Sequence, residues 1–509
     1  MNVLAGVLSP EISERPLLGR LHELFSSAGE QLYLVGGSVR DMLLRRAVHD
    51  LDFATSARPE RTEKLLRKAR PDAVYSVGKR FGTISANFGE ETVEITTFRT
   101  EHYELGDRHP EVEFAPSIQD DLVRRDLTIN SMALDLTSGD ILDPAGGIAD
   151  LRDRLIRVTG EPRRRFEEDP LRLMRVVRFA VQFEFELAPG LDEEVKASAP
   201  MLQHISRERI RDELNKIMLS PQPGRGLRLL VDLELARWFC PELMDFKKIN
   251  TPDEASTNES GSVSVGPGVR MKNLFEHVIG VVDNAPPELT LRLAALFHDI
   301  AKPRTFSFSN GQVHFFGHDS IGARMTKRIL ADLRYDQATI DLVSRLVDLH
   351  MRQAANTDEW SERAIRRYVH TVGVDTLPPL WQLARADITS SNPRRVRAHL
   401  ARLDRLTERC EDLIAEEGAE KIVSPLDGNE LMALTGRGPG RWIQAVKDHL
   451  LDMVLDGELA RDDKDAATAE ALRFLAETDA PAAGSPSGGA EGRAGGNSEA
   501  VDLDGGERR

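Results

Sequence analysis

The sequence predicts an α+β fold in which a mixed α/β head leads into an all-α body and then a second all-α domain. Two observations carry this. Between residues 30 and 155, short apolar runs of β-like composition alternate with helical stretches: Leu32 to Val35, Thr83 to Phe88, Thr92 to Thr97 and Ile141-Leu142. From Asp169 onward the apolar positions recur at helical spacing, as Leu171, Leu173, Met174, Val177 and Phe179, then Ile210, Leu214, Ile217 and Met218, then Leu227, Leu230 and Leu233.

These patterns divide the chain into a head at 1–155 and a helical body at 156–248. Residues 249–268, rich in Ser, Gly, Asn, Thr and Glu, read as a linker or loop. Helical spacing resumes from Leu274 and defines a second all-α domain at 269–415, with a further helical region at 416–478. The tail at 479–509 is Gly, Ala, Ser and acid and is expected to be disordered. No internal repeat stands out.

Composition bounds the function. The 509 residues, 40% hydrophobic and 29% charged, suit a soluble protein of several domains. No basic stretch followed by an apolar run opens the chain, and no segment has the length of an apolar membrane span, so neither a signal peptide nor a membrane partner is expected. Only Cys240 and Cys410 occur, too few for a disulfide framework, which points to a reducing cytoplasm. A net charge of −16 argues against nucleic acid as a partner of the whole surface. The arginines, however, are clustered at 163–165, at Arg172, Arg175 and Arg178, at Arg207, Arg209 and Arg211, and at Arg394, Arg395 and Arg397, and local positive surface binds phosphate whatever the total charge. Each cluster alone reads equally well as a solvated helix face.

Asp50 and Asp52 are the most informative pair. On a strand, residues i and i+2 project from one face, so two carboxylates at this spacing can grip divalent cations side by side. Upstream, Gly36-Gly37 lies between an apolar run and the helix-like Asp41 to Leu44. Glycines there let backbone N–H groups close on phosphate oxygens, and Arg40 adds a fork of donors for the same anion. The bland alternative is a glycine turn before an Asp-rich loop. Glu94, on the neighbouring expected strand, is either a third carboxylate or an exposed alternating residue.

Two further patterns suit the recognition of a nucleotide. Asp126 and Asn130, four apart, would share a helix face and could hydrogen-bond a ribose edge while Arg125 meets phosphate; a helix cap is the alternative for Asp126. Asp169 and Arg172 offer an acceptor beside a donor fork, which matches the exocyclic amine and ring nitrogen of cytosine and adenine and mismatches uracil and guanine. Arg175 and Arg178 behind them are placed for triphosphate, although a surface salt bridge would need no more than the same spacing.

In order along the chain, these motifs resemble the class II tRNA nucleotidyltransferase and bacterial poly(A) polymerase family, from about residue 30 to 245. Glu94 to Phe98 and Arg99, running to Arg108, is similar to that family's flexible element, Arg124 to Asn130 looks like its ribose-recognition motif, and Glu168 to Arg172 opens its base-reading helix. The resemblance implies a polymerase-beta-like head, Mg2+ on Asp50 and Asp52, and addition of CCA to tRNA from CTP and ATP. Poly(A) polymerase is the rival on the same fold, disfavoured by the acidic tail, and a CC-only enzyme is disfavoured by the presence of the flexible element.

The second half carries His277, His298-Asp299, His318, His350 and Asp387. Imidazole and carboxylate on successive helices suit one or two divalent ions that activate a water. The run Leu293 to Lys302 looks like the signature of HD-domain phosphohydrolases, which implies a site for Mg, Mn, Ni or Co. A remaining alternative is an HD phosphohydrolase or RNA-binding protein with an inactive head.

Overall fold

The computed structural model describes residues 15–48, 50–102, 111–250, 262–266, 269–310, 312–353, 357–390, 392–418 and 422–479. The expected disordered tail from 480 and residues 103–110 of the flexible element lie outside them.

Seven strands form the head's sheet: β1 (Leu32–Val35), β2 (Asp50–Thr55), β3 (Ala73–Tyr75), β4 (Thr83–Phe88), β5 (Glu91–Thr97), and, after a separate ribbon of β6 (Arg99–His102) and β7 (Glu111–Phe114), β8 (Ala133–Asp135) and β9 (Ile141–Leu142). Their order is β3-β4-β5-β2-β1-β8-β9. Only β2 and β5 run parallel; the other neighbours are antiparallel. The mixed sheet is the expected one, and three of the four sequence-marked runs agree with it to the residue. Alternation fixes which side is core. Leu51, Phe53, Val93 and Ile95 are almost completely buried, which turns Asp50, Asp52 and Glu94 to the opposite face.

The elements used below are α1 (Gly37–Leu43), α2 (Ile118–Val123), α3 (Pro162–Glu168), α4 (Arg172–Phe183), α5 (Arg207–Met218), α6 (Leu274–Asn284), α7 (Leu289–Phe297), α8 (His318–Asp332), α9 (Gln337–Leu349), α10 (Glu362–Val372) and α11 (Leu377–Asp387). Helix α4 is buried nearly all round: Leu173, Met174, Val176, Val177, Ala180 and Val181 are fully covered, and so are most of Arg172 and Arg178. Buried guanidinium groups require partners, which decides much of the chemistry below.

Within the stretch expected as a linker, Ser262–Gly266 pairs antiparallel with Val269–Lys272. The alternating Ser-Val-Ser-Val suits a pleated strand despite the loop-like composition around it. Two compact units result, residues 1–360 with 372–416, and residues 361–371 with 417–509. Among the described residues no helix is long and apolar enough to cross a membrane.

Candidate active site and metal centre

The chain turns from β1 into α1 at Gly36, whose φ of +66° only glycine adopts without strain. A side chain there would also collide with Arg125: an added Cβ would lie 2.5 Å from its Nη1. Arg125 thus lies against the glycine turn. Next to the turn, buried Ser38 donates to the Asp50 carbonyl (3.1 Å) and accepts from the Asp52 N–H (2.9 Å). β1 is paired with β2 only along Phe53 to Thr55, so this one hydroxyl satisfies backbone groups that β1 does not reach. Ser38 sets the edge on which the two aspartates stand. It was not singled out in the sequence, although its place directly after Gly36-Gly37 was a signal.

Asp52 lies beside Glu94 in the β2–β5 register, and Asp50 is exposed at the strand's start. Burial, then the Glu94 charge, push the Asp52 carboxyl up to about 6, with Asp50 adding to the rise and Arg125 and Arg40 opposing it. An acidic group held that high by its own neighbours gains from a cation. Glu94 therefore belongs electrostatically to the aspartate pair.

The remaining head residues sit differently from their expected roles. Arg40 is buried, with Nε and Nη2 donating to both Asp41 oxygens, Nη1 on the Asn130 amide oxygen at 2.5 Å, and its plane against the rings of Phe183 and Phe179. It braces the turn where it was expected to offer a phosphate fork. Asp126 and Asn130 do not ride one helix, because Leu127 between them is extended; their side chains meet nonetheless, Asn130 Nδ2 donating to Asp126 at 3.1 Å. Burial works to raise the Asp126 carboxyl, but Arg175 and the Asn130 hydrogen bond bring it down to about 2.

Arg175 faces Asp126, Arg178 faces Glu213 on α5 (2.6 Å), and Arg172 reaches Glu168 (2.8 Å) and the Arg124 carbonyl (3.3 Å). The two expected triphosphate arginines, Arg175 and Arg178, thus face carboxylates. Asp169 is paired with Arg209 at 2.9 Å, so the expected Asp169–Arg172 couple is held apart, each with another partner.

The second constellation is assembled. His277 on α6, His298 and Asp299 after α7, His318 opening α8, His350 closing α9 and Asp387 ending α11 converge as two groups, His277 with His298 and Asp387, and Asp299 with His318 and His350. In each group the ligand atoms lie within 4.8 Å of one another. Asp299 joins them: Oδ2 is 3.4 Å and 3.2 Å from the Nε2 atoms of His277 and His298, and Oδ1 is 3.6 Å and 3.7 Å from those of His318 and His350.

The outer nitrogens fix the rings. Nδ1 of His298, His318 and His350 lies on the carbonyls of Ala295, Phe315 and Val347 at 2.7–2.8 Å, and Nδ1 of His277 on the Thr389 hydroxyl at 2.8 Å. A ring that donates from Nδ1 to a carbonyl presents the Nε2 lone pair inward, the form a metal takes. Asp299 Oδ1, His318 Nε2 and His350 Nε2 are buried with no hydrogen-bond partner. Such orphaned acceptors are costly unless a ligand meets them.

Burial, then His298, lower His350 to about 4 and keep it neutral. Burial works to raise Asp299, but His298, His277 and Lys302 hold it well below the usual carboxylate range. Lys302 Nζ lies 2.6 Å from its Oδ2, a contact the sequence did not assign. The six residues fit divalent metal, and the carboxylate edge in the head fits a hard cation.

A mixed sheet with paired carboxylates beside a glycine turn, followed by helices that gather a histidine and aspartate cluster, defines a nucleotidyltransferase-type head joined to an HD-type metal centre. Residues 32–157 match the poly A polymerase head domain, 184–247 the probable RNA and SrmB-binding site of polymerase A, and 274–391 the HD domain. The chain thus carries, in order, a poly A polymerase head domain, a polymerase A RNA-binding region and an HD domain.

It is 42% identical over 226 residues to the CCA-adding enzyme of Lactobacillus helveticus, covering 44% of this chain and 54% of that protein. It is 41% identical over 209 residues to that of Bacillus subtilis, covering 41% and 51%. The matches thus span about half the length of these relatives. In fold it is similar to the Bacillus stearothermophilus CCA-adding enzyme in complex with CTP, with a TM-score of 0.64 at 24% identity over 92% of this chain and 100% of that one. It is also similar to the Thermotoga maritima CCA-adding enzyme complexed with tRNA, with a TM-score of 0.54 at 19% identity over 90% and 96%.

Proposed function

We propose that this chain builds and repairs the 3′-terminal CCA of tRNA from CTP and ATP, without a nucleic-acid template, in the cytoplasm. One observation carries the reading: the Asp50, Asp52 and Glu94 edge, with Asp52 raised by burial and by the Glu94 charge, lies beside a glycine turn lined by Arg125. The names of the relatives, CCA-adding enzymes, support the substrate and favour it over poly(A) synthesis.

In the reaction the tRNA 3′-hydroxyl gives up its proton to solvent as its oxygen bonds the α-phosphorus, the bond from that phosphorus to the oxygen bridging to the β-phosphorus breaks, and pyrophosphate leaves. Mg2+ held by Asp50 and Asp52 would supply activation of the hydroxyl and neutralisation of the leaving group. Gly36, Gly37 and Arg125 bind the triphosphate, with Arg40 as the brace of the turn. Asp126 and Asn130 meet the ribose, once Arg175 exchanges its carboxylate partner for phosphate. Asp169 and Arg172 read the amine and ring nitrogen of C and A after opening their pairs with Arg209 and Glu168, and Arg178 keeps α4 against α5 behind them. The division of labour follows a head at 1–155, a tRNA-holding body at 156–248 and an HD domain at 269–415.

The test is to incubate the protein with tRNA lacking CCA, one labelled nucleotide at a time, and to sequence the ends. Ordered addition of C, C and A is expected; uncontrolled A addition would replace this reading with poly(A) synthesis.

The orphaned acceptors around Asp299 favour a second activity, hydrolysis of a phosphate ester by a water activated at an Mg, Mn, Ni or Co site made by His277, His298, Asp299, His318, His350 and Asp387. Phosphate or 2′,3′-cyclic phosphate on a damaged tRNA end is the fitting substrate, since its removal restores the hydroxyl the head needs. Loading the protein with each metal and finding none of these esters hydrolysed would leave the cluster structural.

A further inference from the structure

The glycine turn, the β6–β7 ribbon and the base-facing helix α4 belong to different parts of the head and body, yet a single short segment touches all three. That segment is the end of α2 and the residues after it. Asp121, near the end of α2, is 1% exposed, and its two oxygens divide their work. Oδ1 accepts from Arg124 Nη2 at 2.7 Å and Nε at 3.2 Å, and from the backbone N–H of Arg99 at 3.3 Å. Oδ2 accepts from Arg125 Nη2 at 3.1 Å and Nε at 3.3 Å. Arg99 is the first residue of β6, the root of the ribbon, and Arg124 Nε donates to its carbonyl as well, at 2.8 Å. The Arg124 carbonyl in turn receives Arg172 of α4.

The consequence lies in how Arg125 is held. A guanidinium gripped through Nε and Nη2 has its plane fixed and leaves Nη1 pointing away from the grip. That free end is the atom lying against Gly36. Stability alone would be served by one arginine beside a buried carboxylate; here the same carboxylate carries two, together with a backbone amide from the ribbon.

We propose that Asp121 is the positioning residue of the triphosphate site: it aims Arg125 at the glycine turn and ties that aim to the root of the β6–β7 ribbon. It does not touch the nucleotide. The inference rests on the nucleotide-binding reading of the head given above, and it predicts that ribbon position and triphosphate affinity change together.

The experiment is titration of CTP and of ATP into the full-length protein without tRNA, paired with steady-state addition assays. Three variants are compared: Asp121→Asn, which keeps the size but loses the charge; Arg125→Lys, which keeps the charge but loses the two-point grip; and the double variant. Each single variant should weaken nucleotide binding and raise KM about tenfold or more, with kcat changed far less, because a charge-assisted pair is lost from positioning and not from the reacting atoms. Acting through one another, the two changes should not multiply: Asp121→Asn added to Arg125→Lys should cost less than a further twofold.

Wild-type protein that binds neither nucleotide would overturn the reading of the head itself. Wild-type affinity with an Asp121→Asn variant that binds equally well, or full multiplication of the two effects, would overturn the role of Asp121 alone. Arg125 is partly exposed, so Arg125→Lys is expected to fold even if Asp121→Asn does not. Unchanged nucleotide affinity in Arg125→Lys would then be sufficient to reject the proposal.

Discussion

The two acidic clusters of this chain are built in opposite ways. In the HD centre six side chains from successive helices already converge, three of the four rings are held by carbonyls behind them, and Asp299 Oδ1, His318 Nε2 and His350 Nε2 are buried without a hydrogen-bond partner. In the head the carboxylates stand on a strand edge, Asp50 and Glu94 exposed, and none belongs to a group of three ligand atoms within 4.8 Å among the described residues. A preassembled cluster binds metal as part of its fold, whereas an open edge completes its coordination with the substrate's phosphates. On the proposed function, the HD centre should depend on metal for stability and the head for turnover.

Removing the head's ligands is the largest test. Asp50→Ala with Asp52→Ala should depress nucleotide addition by about a thousandfold or more while ester hydrolysis at the HD centre continues. Near wild-type addition by the double variant would erase the comparison.

The HD centre should answer to stability instead. A chelator should lower the melting temperature of metal-loaded wild-type protein by the equivalent of about 2–4 kcal/mol, and should leave His298→Ala with Asp299→Ala unmoved. Equal shifts in both would place the stabilising metal elsewhere, and metal content by mass spectrometry reads the same point independently.

Asp52 sharpens the contrast through pH. Its carboxyl is raised from 3.8 to about 6, so between those values the native state holds more protons than the unfolded one, and stability falls as pH rises through that window. Above it, Asp52→Asn should melt higher than wild type in chelator, by on the order of 1–3 kcal/mol, while losing activity. Stability that is flat with pH in the wild type across this window would deny the strain.

The smallest expected effect is on choice of base. Asp169→Ala should relax selectivity for CTP and ATP over UTP and GTP by about tenfold, the value of one lost buried hydrogen bond. Unchanged selectivity with activity retained would move base reading to other groups.

The parts legible in the sequence were those governed by local periodicity. Alternation in β2 and β5 places Leu51, Phe53, Val93 and Ile95 inside and the acids outside, and the order of His and Asp along the second half anticipated which residues meet. What was not legible depends on tertiary partners. Arg178 finds Glu213 thirty-five positions away, Arg175 finds Asp126 forty-nine positions away, and nothing local says that α4 would be covered on every side. Asp126 and Asn130 reached each other without the helix their spacing suggested, because a 3₁₀ turn at Thr128–Asn130 returns the chain. Asp121 was within reach of sequence reasoning, since Arg124 and Arg125 follow it at i+3 and i+4, but the motif drew attention to the arginines and away from the carboxylate that aims them.

The smaller compact unit is made from two separate stretches of chain, and this has a consequence for how the protein can be taken apart. Helix α10 interrupts the HD sequence, yet Arg366 is paired with Glu417 at 2.6 Å, Arg367 with Asp456 at 2.7 Å, and His370 Nε2 lies 3.0 Å from the Ile422 carbonyl. The polypeptide therefore leaves the larger unit, returns, and leaves again. Shortening the gene at residue 416 would not trim a terminal module but would strand a helix in mid-chain with its carboxylate partners deleted, so modular inheritance of this unit requires both stretches to travel together.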